Sequence, residues 1–322
     1  MIEVKNILEL FIIRSTLQLN RQTLNNNNPV NWLLFVLLSF IWGSSFILMK
    51  EGMMGLTAFQ VASIRIISAG IVLLPVAVTS IRLIPRKQMF TVFLSGAFGS
   101  LLPAYLFCVA EQKLDSALAG VLNSLTPIFV ILAGAMFFQA RIAPNKVIGI
   151  FIALFGSVLL FFFQPSFGDN SNIIHISYII LATALYGYNV NMVHKHLKHI
   201  PSIRIAAVAL LLNAIPAFVV LFISGYFSQD LFDKTLLMAT GFSAILGVFG
   251  TALATILFYM LLKRAGSIFA SMVTYLIPVV AILWGILRGE EVGWKQVLGM
   301  AVILLGVYIA NKKSRAVHAP DL

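Results

Sequence analysis

Apolar residues run through this chain in long stretches separated by short polar or basic loops. Neither the alternation of a half-buried strand nor the single stripe of a soluble amphipathic helix is visible. A helix that crosses a bilayer needs about 20 mainly apolar residues. Ten stretches come close, at 30–49, 58–79, 89–110, 116–138, 147–163, 173–193, 205–225, 236–262, 267–287 and 296–311. The fifth and tenth are short and the eighth is long. A membrane β-barrel would instead show ten-residue segments of alternating polarity. The pattern predicts an all-α integral membrane protein with ten transmembrane helices.

The pattern also repeats. Residues 96–139 recur 151 positions later at 247–290, with Gly96/Gly247, Gly99/Gly250, Phe107/Phe258, Ser116/Ser267, Ala119/Ala270, Pro127/Pro278 and Gly134/Gly285 identical. Beyond Gln139 the offset drops to 150, and Gly149/Gly299 and Gly156/Gly306 pair. Residues 30–163 and 173–311 are thus read as two five-helix repeats, joined by a linker at 164–172. An odd number of crossings makes the second copy start on the opposite side, so the repeats are inverted. That arrangement is typical of secondary transporters, because two similar halves can form outward-open and inward-open states of comparable free energy.

Composition and charge agree. Apolar residues make up 60% of the 322 and charged ones 10%, where soluble domains carry about a quarter charged residues. The net charge of +11 follows topology, not a nucleic-acid surface. Arg82, Arg86, Lys87, Arg141, Lys146, Lys195, Lys198, Arg204, Lys263, Arg264, Lys312, Lys313 and Arg315 share one face with the N-terminus. The opposite loops hold only Lys50, Lys113, Lys234, Arg288 and Lys295. By the positive-inside rule, residues 1–29 form a cytoplasmic extension and 312–322 a cytoplasmic tail. The first 28 residues lack a signal-peptide pattern and read either as a flexible lead-in or as an amphipathic surface helix through Ile7, Leu8, Phe11 and Ile12. Cys108 stands alone and predicts neither disulfide nor thiolate metal site.

Polar residues inside spans mark the candidate chemistry. Arg65 is the one charge well inside a span, about 12 Å beyond Thr57 at helical rise. It either binds a substrate carboxylate or phosphate or ties helices together through carbonyls or a boundary acid such as Glu51 or Glu111. Trp42 lies too deep for the interfacial belt, so its N–H needs a partner. Ser44 and Ser45 beside it either line a cavity or bond back to their own helix. Tyr186 and Asn189 share a helix face at three-residue spacing, and Tyr105, Asn213, Thr251, Thr255 and Tyr259 extend the polar set. Pro127 and Pro278 each free a carbonyl one turn earlier, beside Asn123 and Ser124 on one helix and Ser271, Thr274 and Tyr275 on the other. In lipid such carbonyls must face a protein-lined or hydrated cavity. The Gly149 and Gly306 pairs read as packing faces. His194, His196 and His199 sit among lysines and read as a solvated loop, so no metal is expected.

Trp42-Gly43-Ser44-Ser45-Phe46, Arg65, Leu125-Thr126-Pro127 and Gly289-Glu290 before Gly299, in this order over residues 30–312, resemble the EamA-domain family of the drug/metabolite transporter superfamily. The resemblance implies a secondary carrier, often an exporter of amino acids or other small metabolites, with a central cavity between the halves. There are departures. The family's glutamate closing the fourth span is here Gln139 or Ala140, and only Glu290 keeps it; Tyr186-Gly187-Tyr188-Asn189 replaces the tryptophan version in the sixth span.

The expected function is secondary active transport of a small amino acid-like zwitterion or organic anion, outward, by alternating access across the plasma or inner membrane. Cavity candidates are Trp42, Ser45, Arg65, Tyr105, Asn123, Tyr186, Asn189, Thr255, Thr274 and Tyr275. Glu111 and Glu290 are candidates for gating or coupling. The spans offer no deep carboxylate, which argues against selective transport of multivalent cations. Expected partners are the substrate, lipid and a coupling proton or counter-substrate, with no cofactor and no nucleic acid; a homodimer stays open. An uncoupled channel is the alternative. A membrane enzyme would need a nucleophile and base, a metal set or paired acids, and none occurs at usable spacing.

Overall fold

The computed structural model describes residues 28–114, 116–140, 142–162, 173–287 and 293–311. The expected N-terminal extension, the linker at 164–172, Glu290 and the tail lie outside these residues. The first half contains α1 (Pro29–Met53), α2 (Ala58–Val72), α3 (Leu74–Ser80), α4 (Arg86–Gly96), α5 (Leu102–Glu111), α6 (Ser116–Asn123), α7 (Thr126–Phe138) and α8 (Pro144–Phe162). The second contains α9 (Ile173–His196), α10 (Ser202–Ile223), α11 (Lys234–Ile245), α12 (Ala254–Ala265), α13 (Ser267–Ser271), α14 (Ile277–Leu287) and α15 (Trp294–Asn311). No strand occurs among the described residues.

Local chemistry sets the helix starts. Asn28 caps α1 by accepting the Val30 N–H at 2.9 Å, with Pro29 in the first turn where no N–H is needed. Thr57 and Gln60 form a reciprocal capping box at the start of α2. Pro75 then removes a helical donor, and the chain bends by 63° between α2 and α3. Outward positions such as Phe40, Ile215, Phe218 and Phe222 are exposed, as lipid-facing side chains are.

Length qualifies the expectation of ten spans. Six helical segments are long and apolar enough to cross a membrane, and the bent pair makes a seventh; the segments 144–159, 267–280 and 297–311 are shorter. Two of these short helices, α8 and α15, pack against each other. A Cβ on Gly149 would lie 2.6 Å from the Gly306 carbonyl oxygen, and one on Gly306 would lie 2.6 Å from the Gly149 oxygen. The paired glycines therefore let two backbones touch, as the packing-face reading requires.

The helix pairings recur when the two halves are exchanged. α9 packs on α7 and α5 as α1 packs on α14 and α12, while α2 pairs with α10 and α8 with α15. Single residues repeat the exchange. Gly43 on α1 abuts Val280, and Gly187 on α9 abuts Phe129, with an added Cβ at 2.6 Å from the facing side chain in both cases. The repeat also carries two π-helical turns, Ala97–Leu101 between α4 and α5 and Leu246–Leu253 between α11 and α12. Toward the N-terminus of α1, Trp32, Phe35 and Phe269 form an aromatic cluster with centroids 5.2–5.5 Å apart. Beside it Arg264 donates to Asn31 at 2.9 Å, and Lys263 donates to the Ile200 carbonyl.

Candidate functional site

Both π-helical turns open onto one cavity between the halves. It encloses about 890 Å³ of empty space, open solvent at its mouth included. The first turn contributes Gly99 and Ser100 and the second Gly250 and Thr251, while α1, α2, α5, α9, α12 and the broken helix pairs α6–α7 and α13–α14 supply the other walls. A π turn displaces carbonyls from the regular ladder and is frequent at functional sites. Here the Gly250 carbonyl accepts the Trp42 indole N–H at 3.2 Å, which answers the donor that the sequence left unpaired.

Arg65 reaches the same wall. Its Nε donates to the Thr251 hydroxyl at 2.6 Å, and among the described residues it forms no ion pair. The remaining guanidinium donors are thus available to the cavity, which the group lines. Trp42, Ser45, Asn123, Tyr186, Asn189, Thr255 and Thr274 line it as well. Ser45 also bonds back to the Ile41 carbonyl at 2.8 Å, and Ser44 to Phe40, while the Trp284 indole donates to Ser44 at 2.8 Å. Asn189 is buried with its amide oxygen unpartnered.

The proline kinks find polar partners. The carbonyl of Asn123, freed by Pro127, accepts the Thr126 hydroxyl at 2.8 Å. That of Thr274, freed by Pro278, accepts the Ser124 hydroxyl at 3.4 Å across the two halves.

Two tyrosines are placed elsewhere. Tyr105 shares a 2.7 Å hydrogen bond with Ser63 and stands against Phe59, off the cavity wall. Tyr275 is fully buried and donates to the Ile150 carbonyl at 2.9 Å, joining the segment between α13 and α14 to α8. Tyr188 contacts Phe98, Phe137 and Phe138, and Asn191 donates to Val130 and Gly187, so the polar residues of α9 divide between two faces. His199 bonds Gln88 on α4. Glu111 ends α5 and is buried.

Sequence reasoning missed Phe107 and Phe258 as cavity walls. They are an identical pair in the repeat, and that identity was the available signal. Trp42 packs at a tilt against Phe258 with centroids 5.3 Å apart, and Tyr186 stacks on Phe107 at 6.3 Å. The exchange of halves thus maps one aromatic pair onto the other.

The profile of the EamA-like transporter family matches residues 31–162 and 173–312. The chain belongs to the EamA-like transporter family. An uncharacterised transporter of Archaeoglobus fulgidus is 29% identical over 283 residues, 88% of this chain and 99% of that protein. The uncharacterised inner membrane transporter YedA of Escherichia coli K12 is 25% identical over 279 residues, covering 85% of this chain and 88% of YedA. A WAT1-related chloroplastic protein of Arabidopsis thaliana is 24% identical over 296 residues, 88% of this chain and 69% of that one. A solved crystal structure aligns with a TM-score of 0.68 over 88% of this chain and 97% of its own, at 16% identity, and so shares the fold. This EamA-like protein is accordingly a multi-pass membrane transporter. Its cavity combines aromatic rings, amides, hydroxyls and one guanidinium, and no acidic side chain lines it among the described residues.

Proposed function

We propose that this protein is a secondary carrier that moves a small carboxylate-bearing metabolite, an amino acid or organic anion, by alternating access. The observation that carries the reading is Arg65, held at Nε by Thr251 on the wall of an interdomain cavity without an acidic partner among the described residues. A planar guanidinium with free donors is suited to a carboxylate, and desolvation in a lipid-embedded cavity strengthens that contact. The Asn189 amide, on a residue that lines the cavity, offers a second polar group of the substrate a partner. Phe107, Phe258, Trp42 and Tyr186 give its apolar part a surface.

Alternating access is supported by helix pairings that survive exchange of the halves and by glycine contacts that do the same. Two antiparallel halves of this kind reach states of similar free energy, and the substrate tips the balance. The basic loops favour cytoplasmic termini in a plasma or inner membrane. Export is the direction the family resemblance implies.

Counterflow in proteoliposomes tests the reading. A panel of labelled amino acids and organic acids should contain at least one that exchanges, saturably, against its unlabelled form. Flux without saturation or exchange would instead mark an uncoupled channel. No flux of any carboxylate would remove the substrate class.

A further inference from the structure

Glu111 is an unusual residue to find at the end of α5. It is 4% exposed, and its buried carboxylate oxygens form no close hydrogen bond, the Ser116 hydroxyl on α6 acting on them only weakly. Its neighbours along the chain, Phe107, Cys108 and Leu114, belong to an apolar cluster with Phe46 and Met49. Phe107, one turn earlier on the same helix face, lines the cavity. A carboxylate left ionised in such a place is costly unless a positive charge compensates it, and neutralisation is the usual escape. Two cations act on it, Lys50 at the exposed end of α1 and Arg65 on α2. Water screens the first far more than the second. Other titratable or polar groups on the packed elements include Cys108 on α5 itself, Tyr105 one turn before Cys108, Gln60 and Ser63 on α2, Ser116 on α6, and Tyr186, Tyr178 and His175 on α9.

We propose that Glu111 is a proton-binding site coupled to substrate through Arg65, so that the anion and one proton bind together. Resting on the carboxylate reading above, the argument is electrostatic. With the cavity empty, the Arg65 charge acts on both the cavity and Glu111. A carboxylate seated on Arg65 cancels that charge and adds its own, and the Glu111 carboxylate then takes a proton from water. The charge balance is simple: one anion and one proton enter as a neutral pair, and both leave when the site opens on the other side. By linkage, a proton on Glu111 tightens anion binding by the same factor as the anion tightens the proton. Net export down a metabolite gradient would carry one proton out with each anion.

The test uses the purified full chain and benzoate, an aromatic carboxylate that stays ionised between pH 6 and pH 8. Thermal shift or calorimetry gives its affinity at both ends of that range. Wild-type protein should bind benzoate at least about fivefold more tightly at pH 6. Glu111→Gln should show no such change, Glu111→Asp should keep it, and His175→Gln should keep it. A pH-independent wild-type affinity overturns the coupling, and so does a shift that persists in Glu111→Gln or vanishes in His175→Gln. Failure of wild-type protein to bind benzoate counts against the carboxylate reading, and infrared titration of the ligand-free chain then decides the proton site. A protonated carboxyl band that grows toward pH 6 and is missing in Glu111→Gln retains it; no such band overturns it.

Discussion

The indole N–H of Trp42 donates to the carbonyl of Gly250 at 3.2 Å, so the first helix of one half is fastened to the π-helical turn of the other. The same ring packs at a tilt against Phe258. Trp42 therefore serves both as a polar clasp and as a cavity wall.

Trp42→Phe separates these roles, since it keeps an aromatic surface and deletes the donor. The Gly250 carbonyl is then orphaned in an apolar setting, a loss of about 1–3 kcal/mol. The expected outcome is a lower unfolding temperature in detergent with some transport retained, read by thermal unfolding and counterflow. An unchanged melting temperature would show that water satisfies the carbonyl.

Arg65→Ala should reduce transport below detection, and Arg65→Lys should restore part of it, because a point charge lacks the two-pronged geometry. Thr251→Val should raise KM by roughly tenfold, about 1.4 kcal/mol, by freeing the guanidinium to swing. Thr251→Ser should recover wild-type KM. Equal kinetics in all four proteins would dismiss a central role for this pair.

Gly149→Val tests the backbone contact between α8 and α15. A Cβ there also lies 2.6 Å from the Ala310 Cβ, and neither backbone has room to yield. The variant should be poorly folded by size-exclusion profile, whereas Gly241→Ala, where a Cβ meets nothing within 4 Å, should resemble wild type. Normal folding of Gly149→Val would refute the close packing.

Cysteine substitutions probe the cavity from water. Asn123→Cys and Thr274→Cys, on the two proline-kinked helices, should react with a small hydrophilic maleimide and be shielded by transported substrate; Cys108 is fully buried and should stay silent. If neither introduced thiol is labelled, both positions leave the proposed pathway.

Much of this architecture is written in the sequence as repetition. Gly96, Gly99, Phe107 and Pro127 announce their partners 151 residues on, and the structure sets these pairs in matching environments. Periodicity on α9 likewise separates Tyr186 and Asn189, on the cavity, from Tyr188 and Asn191, on its neighbours. The π-helical turns were not legible, because a π turn is a tertiary outcome: an extra residue is accommodated where a carbonyl finds a distant donor such as Trp42. Distance also hid the partner of Arg65, since Thr251 is 186 positions away. Tyr105 and Tyr275 illustrate the converse. Each looked like a cavity residue by depth, yet a hydroxyl goes wherever a partner is nearest, here Ser63 and the Ile150 carbonyl. The segment 267–287 is helical throughout, but nothing in the sequence signals that Met272–Leu276 tightens into a 3₁₀ turn ahead of Pro278.

The cluster of Trp32, Phe35 and Phe269 has a practical corollary. Any motion that draws the start of α1 away from α13 admits water to the Trp32 ring, and its fluorescence then shifts to the red. With Trp42, Trp284 and Trp294 replaced by phenylalanine, the chain would carry its own optical readout of which side is open, with no dye attached.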